Sequence, residues 1–478
     1  MPKHSRPATR NSRLANLILL LVAAQAACVG LGPGTVEPTR PATQTTIPAT
    51  PPPQPTVEGR TPSQSPPPGS QTAPTSTNPP PLSRPHYTIK AQFDYPAHKL
   101  DIQQEIIYPN RTSGALEALL LVVEPNRHDG AFTLHSLTWG EDQPGTVYNL
   151  EDGRLILPLP EPLSAGENAK IKINYTLNLP KRAGTLGYTE RQTNLGDWYP
   201  FIPPYDEEKG WLAHEPNAYG YGTLGEHLVY ECADFEVTLD LGESGDGVTV
   251  VGSAPVVREG DVYRFSAQAV RNFTLSASTA YVVRDVTQNS VTIRSVFFSE
   301  DTAAGEAALT VAQKSLAIYG PVSTPYTHEP FTVMEAVFWD GMEYNGLVYV
   351  GSEYYRAYNS TPKNYLTLIT AHETAHQWWY GLVANDQALE PWLDEILATY
   401  SEQIYLEHAH PEAAEWWFDF RVAAYNPQGW VNSTIYEFDG YRPYINAVYL
   451  RGATFLDDLR ERMGKEAFLD FLGTYAEK

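Results

Sequence analysis

Residues 366–402 read LTLITAHETAHQWWYGLVANDQALEPWLDEILATYSE, with His372, Glu373 and His376 in the pattern H-E-x-x-H and Glu395 further along. A helix over 366–383 puts His372 and His376 one turn apart on one face, where both can bind a single ion. Glu373 then lies beside that ion without ligating it, placed to take a proton from a bound water. Asn385-Asp386 interrupts the helix, and Pro391, a favoured first helical residue, restarts the chain. An antiparallel second helix over 392–408 brings Glu395 back over the histidines as third ligand. Three protein ligands leave a fourth position for water, which is the catalytic kind of zinc site. One zinc per chain is expected.

Just upstream, strand-like runs at 291–298, 331–338 and 347–350 accompany a helix expected over 303–319. That helix carries Leu309, Ala312, Leu316 and Tyr319 at helical spacing, with Gly320-Pro321 as its stop. Between the last two strands runs the loop Trp339-Asp340-Gly341-Met342-Glu343-Tyr344-Asn345-Gly346. Downstream the chain is helical and aromatic around Trp416, Trp417 and Phe418, and a last helical region covers 449–478. It ends without a clear C-cap, which leaves a C-terminal truncation open. Residues 286–478 therefore read as an α+β, mostly helical catalytic domain.

Residues 86–285 have a different period. Tyr87, Ile89, Ala91 and Phe93 alternate, and further strand-like runs follow at 102–108, 119–123, 171–177, 235–241, 263–265 and 273–276. Turn residues such as Gly145, Gly153 and 242–247 separate them. This is an all-β domain, a sandwich or saddle of mainly antiparallel strands. The stretch NLGDWYPFIPPYDEEKGW reads as a long loop that either borders a cleft or simply packs.

Residues 31–85 hold 17 of the 40 prolines and no aromatic residue, so 29–85 reads as a disordered tether that cannot bury a core. Residues 1–28 read as an export signal: Lys3, Arg6, Arg10 and Arg13 precede a mostly apolar run. Cys28 after Ala26-Ala27 suits a lipoprotein anchor, the first choice. Cleavage at Ala24-Gln25-Ala26 for release and an uncleaved anchor are the alternatives. The expected location is the extracytoplasmic cell envelope, with membrane attachment only through this N-terminal anchor, and secretion is second. Cys232 is the sole other cysteine, so no internal disulfide is available. The formal net charge of -23 excludes nucleic acid as a partner.

HETAHQWWYGLV followed by WLDEILATYSE resembles the aminopeptidase N family of zinc metallopeptidases, the gluzincins. DGMEYNG resembles that family's exopeptidase loop, and YLRGATFLDDLRERMG its tyrosine-containing helix start. The resemblance covers roughly residues 86–478. It implies a β saddle followed by a thermolysin-like zinc peptidase domain, acting on peptides with a free N-terminus. Carried over residue by residue, it implies His372, His376 and Glu395 as zinc ligands and Glu373 as general base. Gly341, Met342 and Glu343 would bind substrate, Glu343 through the free α-amino group, and Tyr449 would stabilise the oxyanion. Asp340 replaces a small residue of the family pattern, Tyr344 the usual Asn, and Arg451 the usual Lys. Family members continue past the point where this chain stops.

The leading reading is a zinc aminopeptidase. A zinc endopeptidase, an epoxide-type hydrolase on the same scaffold, and a tethered binding module without catalysis are the alternatives. Residue preference, oligomeric state and physiological substrate are not encoded in any motif found.

Overall fold

The computed structural model of the protein describes residues 84–141, 143–220 and 222–477. The expected signal, and the tether up to residue 83, lie outside the described residues. Among the described residues, no helix is long and apolar enough to cross a membrane.

Period-two alternation builds the first half. His86–Asp94 buries Tyr87, Ile89, Ala91 and Phe93 and turns Lys90 and Gln92 to solvent. It lies inside an eight-stranded sheet, between Ala233–Asp240, its parallel neighbour, and Lys99–Pro109, its antiparallel one. Asn168–Asn178, Phe132–Trp139 and Gln143–Pro144 extend the sheet one way; Val262–Val270 and Val256–Glu259 extend it the other way. A three-stranded sheet, a four-stranded sheet and two two-stranded ones make up the rest of this β half among the described residues.

Arg154–Leu163 was not visible as a strand because Pro158, Pro160 and Pro162 break its pattern. Its second partner, Asn149–Glu151, pairs only with residues 154–156, so the prolines sit where one side of the strand needs no donor. The aromatic stretch after residue 194 is packed: Trp198, Tyr199, Phe201 and Ile202 are buried in the β core. There the Trp198 indole N–H donates to the Phe273 carbonyl at 3.2 Å.

The second half is built on a five-stranded sheet. Its strands are β1 (Tyr281–Gln288), β2 (Val291–Phe298), β3 (Phe331–Ala336), β4 (Gly341–Met342) and β5 (Leu347–Gly351), in the order β1-β2-β3-β5-β4. The division expected at 285/286 falls inside β1. β2, β3 and β5 run parallel and are buried on both faces, while β4 closes the edge antiparallel to β5. Helix α1 (Thr302–Val322) lies against β2, close enough that a Cβ on Gly305 would sit 2.1 Å from the Phe297 ring. It runs past the expected stop at Gly320-Pro321, because a proline in the last turn removes only a terminal bond and Ser323 N–H still reaches the Tyr319 carbonyl at 2.9 Å.

Helices α2 (Tyr365–Ala375) and α3 (Trp392–Ala409) pack against α1 and each other. The buried Tyr319 hydroxyl ties them, standing 3.2 Å from the Ala371 carbonyl and 2.9 Å from that of Ser401. α2 is shorter than the helix expected over 366–383. It ends at Ala375, where His376 Nδ1 bonds the Trp379 carbonyl at 2.8 Å and Tyr380 turns to φ +142°.

Helix α4 (Arg451–Met463) crosses α3 at Gly452, where a Cβ would lie 2.0 Å from Ile396 Cγ2. Backbone contact at this crossing sets the distance between the Tyr449 and Glu395 stems. Gly452→Val should therefore overpack the crossing by about 1–3 kcal/mol. Thermal denaturation should show the midpoint lowered by several degrees, and an unchanged midpoint would mean the helices separate freely.

Candidate active site

The site forms where α2, α3, the loop after β4 and a turn before α4 converge. On α2, His372 and His376 point their Nε2 atoms the same way, 3.1 Å apart. Glu395, in the first turn of α3, brings Oε2 to 3.2 Å from His372 Nε2 and 3.6 Å from His376 Nε2. Ligand atoms about 2.0–2.1 Å from a tetrahedral zinc lie roughly 3.3 Å apart, so the three donors fit one such ion. Nitrogen and carboxylate donors with an open fourth position make zinc the ion this centre suits.

Charge supports the same conclusion. Burial works against a charged His372, yet Glu395 and Glu402 hold its pKa up at about 9. His376 is likewise pushed well above its ordinary value by Glu343 and Glu395, despite burial. Glu395 is buried too, but its contacts with the two imidazoles hold it below the usual carboxylate range. The carboxylates around the two imidazoles thus favour positive charge at this point.

Each ligand is oriented from behind. His372 Nδ1 lies 3.2 Å from Glu402 Oε1. Glu402 is fully buried, and it accepts from the Trp417 indole at 2.8 Å and from Arg421 Nε and Nη2, each at 3.1 Å. With His376 Nδ1 on the Trp379 carbonyl, both rings are fixed with Nε2 inward. Asp394 accepts from the Glu395 N–H at 2.9 Å, from Asn385 Nδ2 at 3.2 Å and from Gln387 Nε2 at 2.9 Å. Burial and the adjacent Glu395 raise its pKa to about 8.

Glu373 Oε2 is buried with no hydrogen-bond partner. Burial, Glu343 and Glu395 raise its pKa well above the ordinary value, against the pull of the two histidines. An orphaned carboxylate oxygen beside the three donors suits proton transfer at the metal's open position. β4 comes so close that a Cβ on Gly341 would lie 2.0 Å from Glu373 Oε1, so any larger residue there would push Glu373 aside. Met342 is partly buried against Tyr344 and Tyr349, a packing position.

Glu343 is 3% exposed and accepts from Gln387 Nε2 at 2.9 Å. One of its oxygens lies within 4.8 Å of donor atoms of Glu373 and His376. The β half pins this loop: Tyr344 donates to Asp197 Oδ2 at 2.7 Å and the Asn345 N–H to Asn272 Oδ1 at 3.0 Å. It also contributes Glu226, whose pKa is pushed well up by burial and by the nearby Glu343 and Glu395.

Tyr449 sits in a π-helical turn (Asn446–Leu450), not at the start of an α-helix. Its ring stacks over His372 at 6.1 Å, and its hydroxyl donates to Glu395 Oε1.

Sequence reading did not single out Glu226, Glu402, Gln387 or Arg421. Glu402 had a signal, since it follows Glu395 by two helical turns and so shares its face. Glu226 had none, because only the tertiary fold brings its loop to the pocket.

Residues 321–478 match the Peptidase family M1 domain. The match covers about a third of the chain. Similar curated proteins include aminopeptidase M1-D of Oryza sativa subsp. japonica, 28% identical over 192 residues, which are 36% of this chain and 22% of that protein. Another is endoplasmic reticulum aminopeptidase 1 of Homo sapiens, 30% identical over 121 residues, or 24% of this chain and 13% of that one. The alignments thus span under a quarter of these relatives' length. Among solved structures, an M1 zinc metallopeptidase from Deinococcus radiodurans aligns with TM-score 0.56 at 18% identity, covering 83% of this chain and 88% of that one. The β half followed by a helical half is therefore the fold of this M1 metallopeptidase.

The Glu402 contact gives a direct test. Glu402→Gln removes the charge that orients His372, and loss of such a partner typically lowers metal affinity about 10–100-fold. Competition against a chromogenic chelator should show that drop, whereas unchanged affinity would mean that packing alone holds His372.

Proposed function

We propose that this protein is a zinc aminopeptidase that removes residues from the N-terminus of peptides. The observation that carries the reading is the short distance between the Glu343 carboxylate and the donor atoms of the metal cluster. An amino nitrogen and the carbonyl carbon of the same residue are only about 2.5 Å apart. A pocket with an amine anchor this near to the hydrolytic centre leaves room for one residue between them.

His372, His376 and Glu395 would hold the zinc, which when bound supplies a Lewis acid for the scissile carbonyl and acidifies water. Glu343 and Glu226 receive the substrate ammonium, and Gln387 keeps Glu343 aimed at it. Glu373 accepts the proton of the attacking water at Oε2 and delivers it to the leaving amine. Tyr449, a neutral donor at ordinary pH, would turn its hydroxyl from Glu395 to bond the oxygen that becomes negative as water adds. The Deinococcus fold relative has been solved with a Tyr-Ser-Ala substrate, which accords with peptides as substrates here. The export-like run before Cys28 supports an extracytoplasmic, envelope-anchored placement.

Two experiments test this reading on aminoacyl reporters and short peptides. Glu373→Gln should retain zinc by metal analysis while turnover falls by roughly 10²-fold or more. Wild-type protein free of zinc, or an active variant, contradicts the assignment. Glu343→Ala should raise KM for free-amine peptides, and N-acetylated peptides should resist the wild type. Equal cleavage of acetylated and free peptides would remove the amine anchor and point to an endopeptidase.

A further inference from the structure

We propose that Asp340 selects the residue after the scissile bond, favouring lysine or arginine there; this rests on the aminopeptidase reading. β4 is the edge of its sheet, paired with β5 on one side only. The Asp340 carbonyl accepts from Gly351 N–H at 2.8 Å, so alternation turns the N–H and C=O of Gly341 away from β5. Gly341 is also the residue whose missing Cβ admits Glu373. An extended substrate with its amine at Glu343 that pairs with this edge runs antiparallel to β4. It passes Gly341 at the level of Glu373 and continues to Asp340. At about 3.3 Å per residue, the side chain beyond the scissile bond arrives beside Asp340.

Asp340 is built to meet a charge there. Its backbone holds φ +76°, a conformation that Asp, Asn and Gly accept best. Its N–H donates to Glu353 Oε1 at 3.2 Å, and its Oδ1 accepts from the Tyr354 hydroxyl at 3.2 Å. Its neighbour Gly341 lies against Glu373, which places Asp340 at the cleft, and burial raises the pKa of its carboxyl against the pull of Arg421 and His372. Arg421 acts on it only at a distance, since its guanidinium is hydrogen-bonded to Glu402. The adjoining Trp339 is 77% exposed and offers an aromatic face to an alkylammonium or guanidinium group. An acidic side chain at this position meets Asp340 and Glu353 as like charges.

The test uses the zinc-loaded Glu373→Gln protein, so that binding is read without turnover. Calorimetric titration compares Ala-Lys with Ala-Glu, which share the same amine and terminal carboxylate. Ala-Lys should bind roughly tenfold tighter or more, and adding Asp340→Asn should bring the ratio to within about threefold. Asn keeps the size and tolerates the backbone conformation, so the variant folds. Equal affinities in the parent, or a ratio that survives Asp340→Asn, overturn the assignment. Alaninamide separates the two readings. If it binds while the dipeptides show no difference, only the Asp340 assignment falls, whereas no binding by any of the three removes the amine anchor and this inference with it.

Discussion

The structure depends on a buried excess of negative charge. Glu343, Glu373, Asp394, Glu395 and Glu402 are all at most 5% exposed and converge on two imidazoles and one guanidinium. Burying that many carboxylates without compensation costs far more than a fold of ordinary stability can supply. Arg421 answers Glu402, and the imidazoles answer Glu395 by taking up protons when no ion is present. Burial raises the pKa of Glu343, Glu373 and Asp394, which keeps their charge down, and a dication at the His372, His376 and Glu395 donors would draw it out. The pocket's electrostatics and its chemistry are therefore a single constraint.

That constraint explains why the two halves of the chain are fastened as they are. The segments that carry these groups must not drift, and contacts from the β half hold two of them. Asp197 accepts phenol hydrogens from both Tyr230 and Tyr344, and Gly196 beside it is required because a Cβ would lie 2.2 Å from the Tyr344 oxygen. Arg271 bonds the carbonyls of Tyr380 and Leu382, just past the end of α2, at 2.8 and 3.2 Å. The loop bearing Glu343 and the segment fixing the His376 tautomer are thus anchored to the same β scaffold. The early end of α2 belongs to this arrangement, since His376 needs the Trp379 carbonyl and that carbonyl has to leave the helix to reach it.

The sequence was most legible where chemistry and period coincide. H-E-x-x-H needs only helical spacing to be read, and Glu395 needed only a second helix after a break. The alternation from Tyr87 to Phe93 likewise states a strand with one buried face. What escaped depends on tertiary contact or on a rule that local pattern hides. The prolines of Arg154–Leu163 look like a loop until their one-sided pairing is known. The π-turn holding Tyr449 has no residue signature, and Glu226 reaches the pocket only through long-range packing. Asn385 and Gln387 read as punctuation between helices, yet both orient Asp394, and Gln387 also holds Glu343.

The departures of the loop from the family pattern follow from the same physics. Tyr344 is longer than an asparagine and cannot turn back into the crowded pocket, so it reaches across to Asp197 and is fully buried there. Burial raises the pKa of Asp197 to about 6, although two phenol donors pull it the other way. The bond from Tyr344 to this buried carboxyl holds the residue next to Glu343. Asp340 replaces a small residue at the other end of the same short strand, where the backbone turns to positive φ. Between them lies Gly341, where Glu373 occupies the space of a side chain. The two departures flank β4, Tyr344 buried against the scaffold and Asp340 exposed at the strand's other end. On the proposed reading, the first would fix where a substrate amine sits, and the second what lies beyond the bond that is cut.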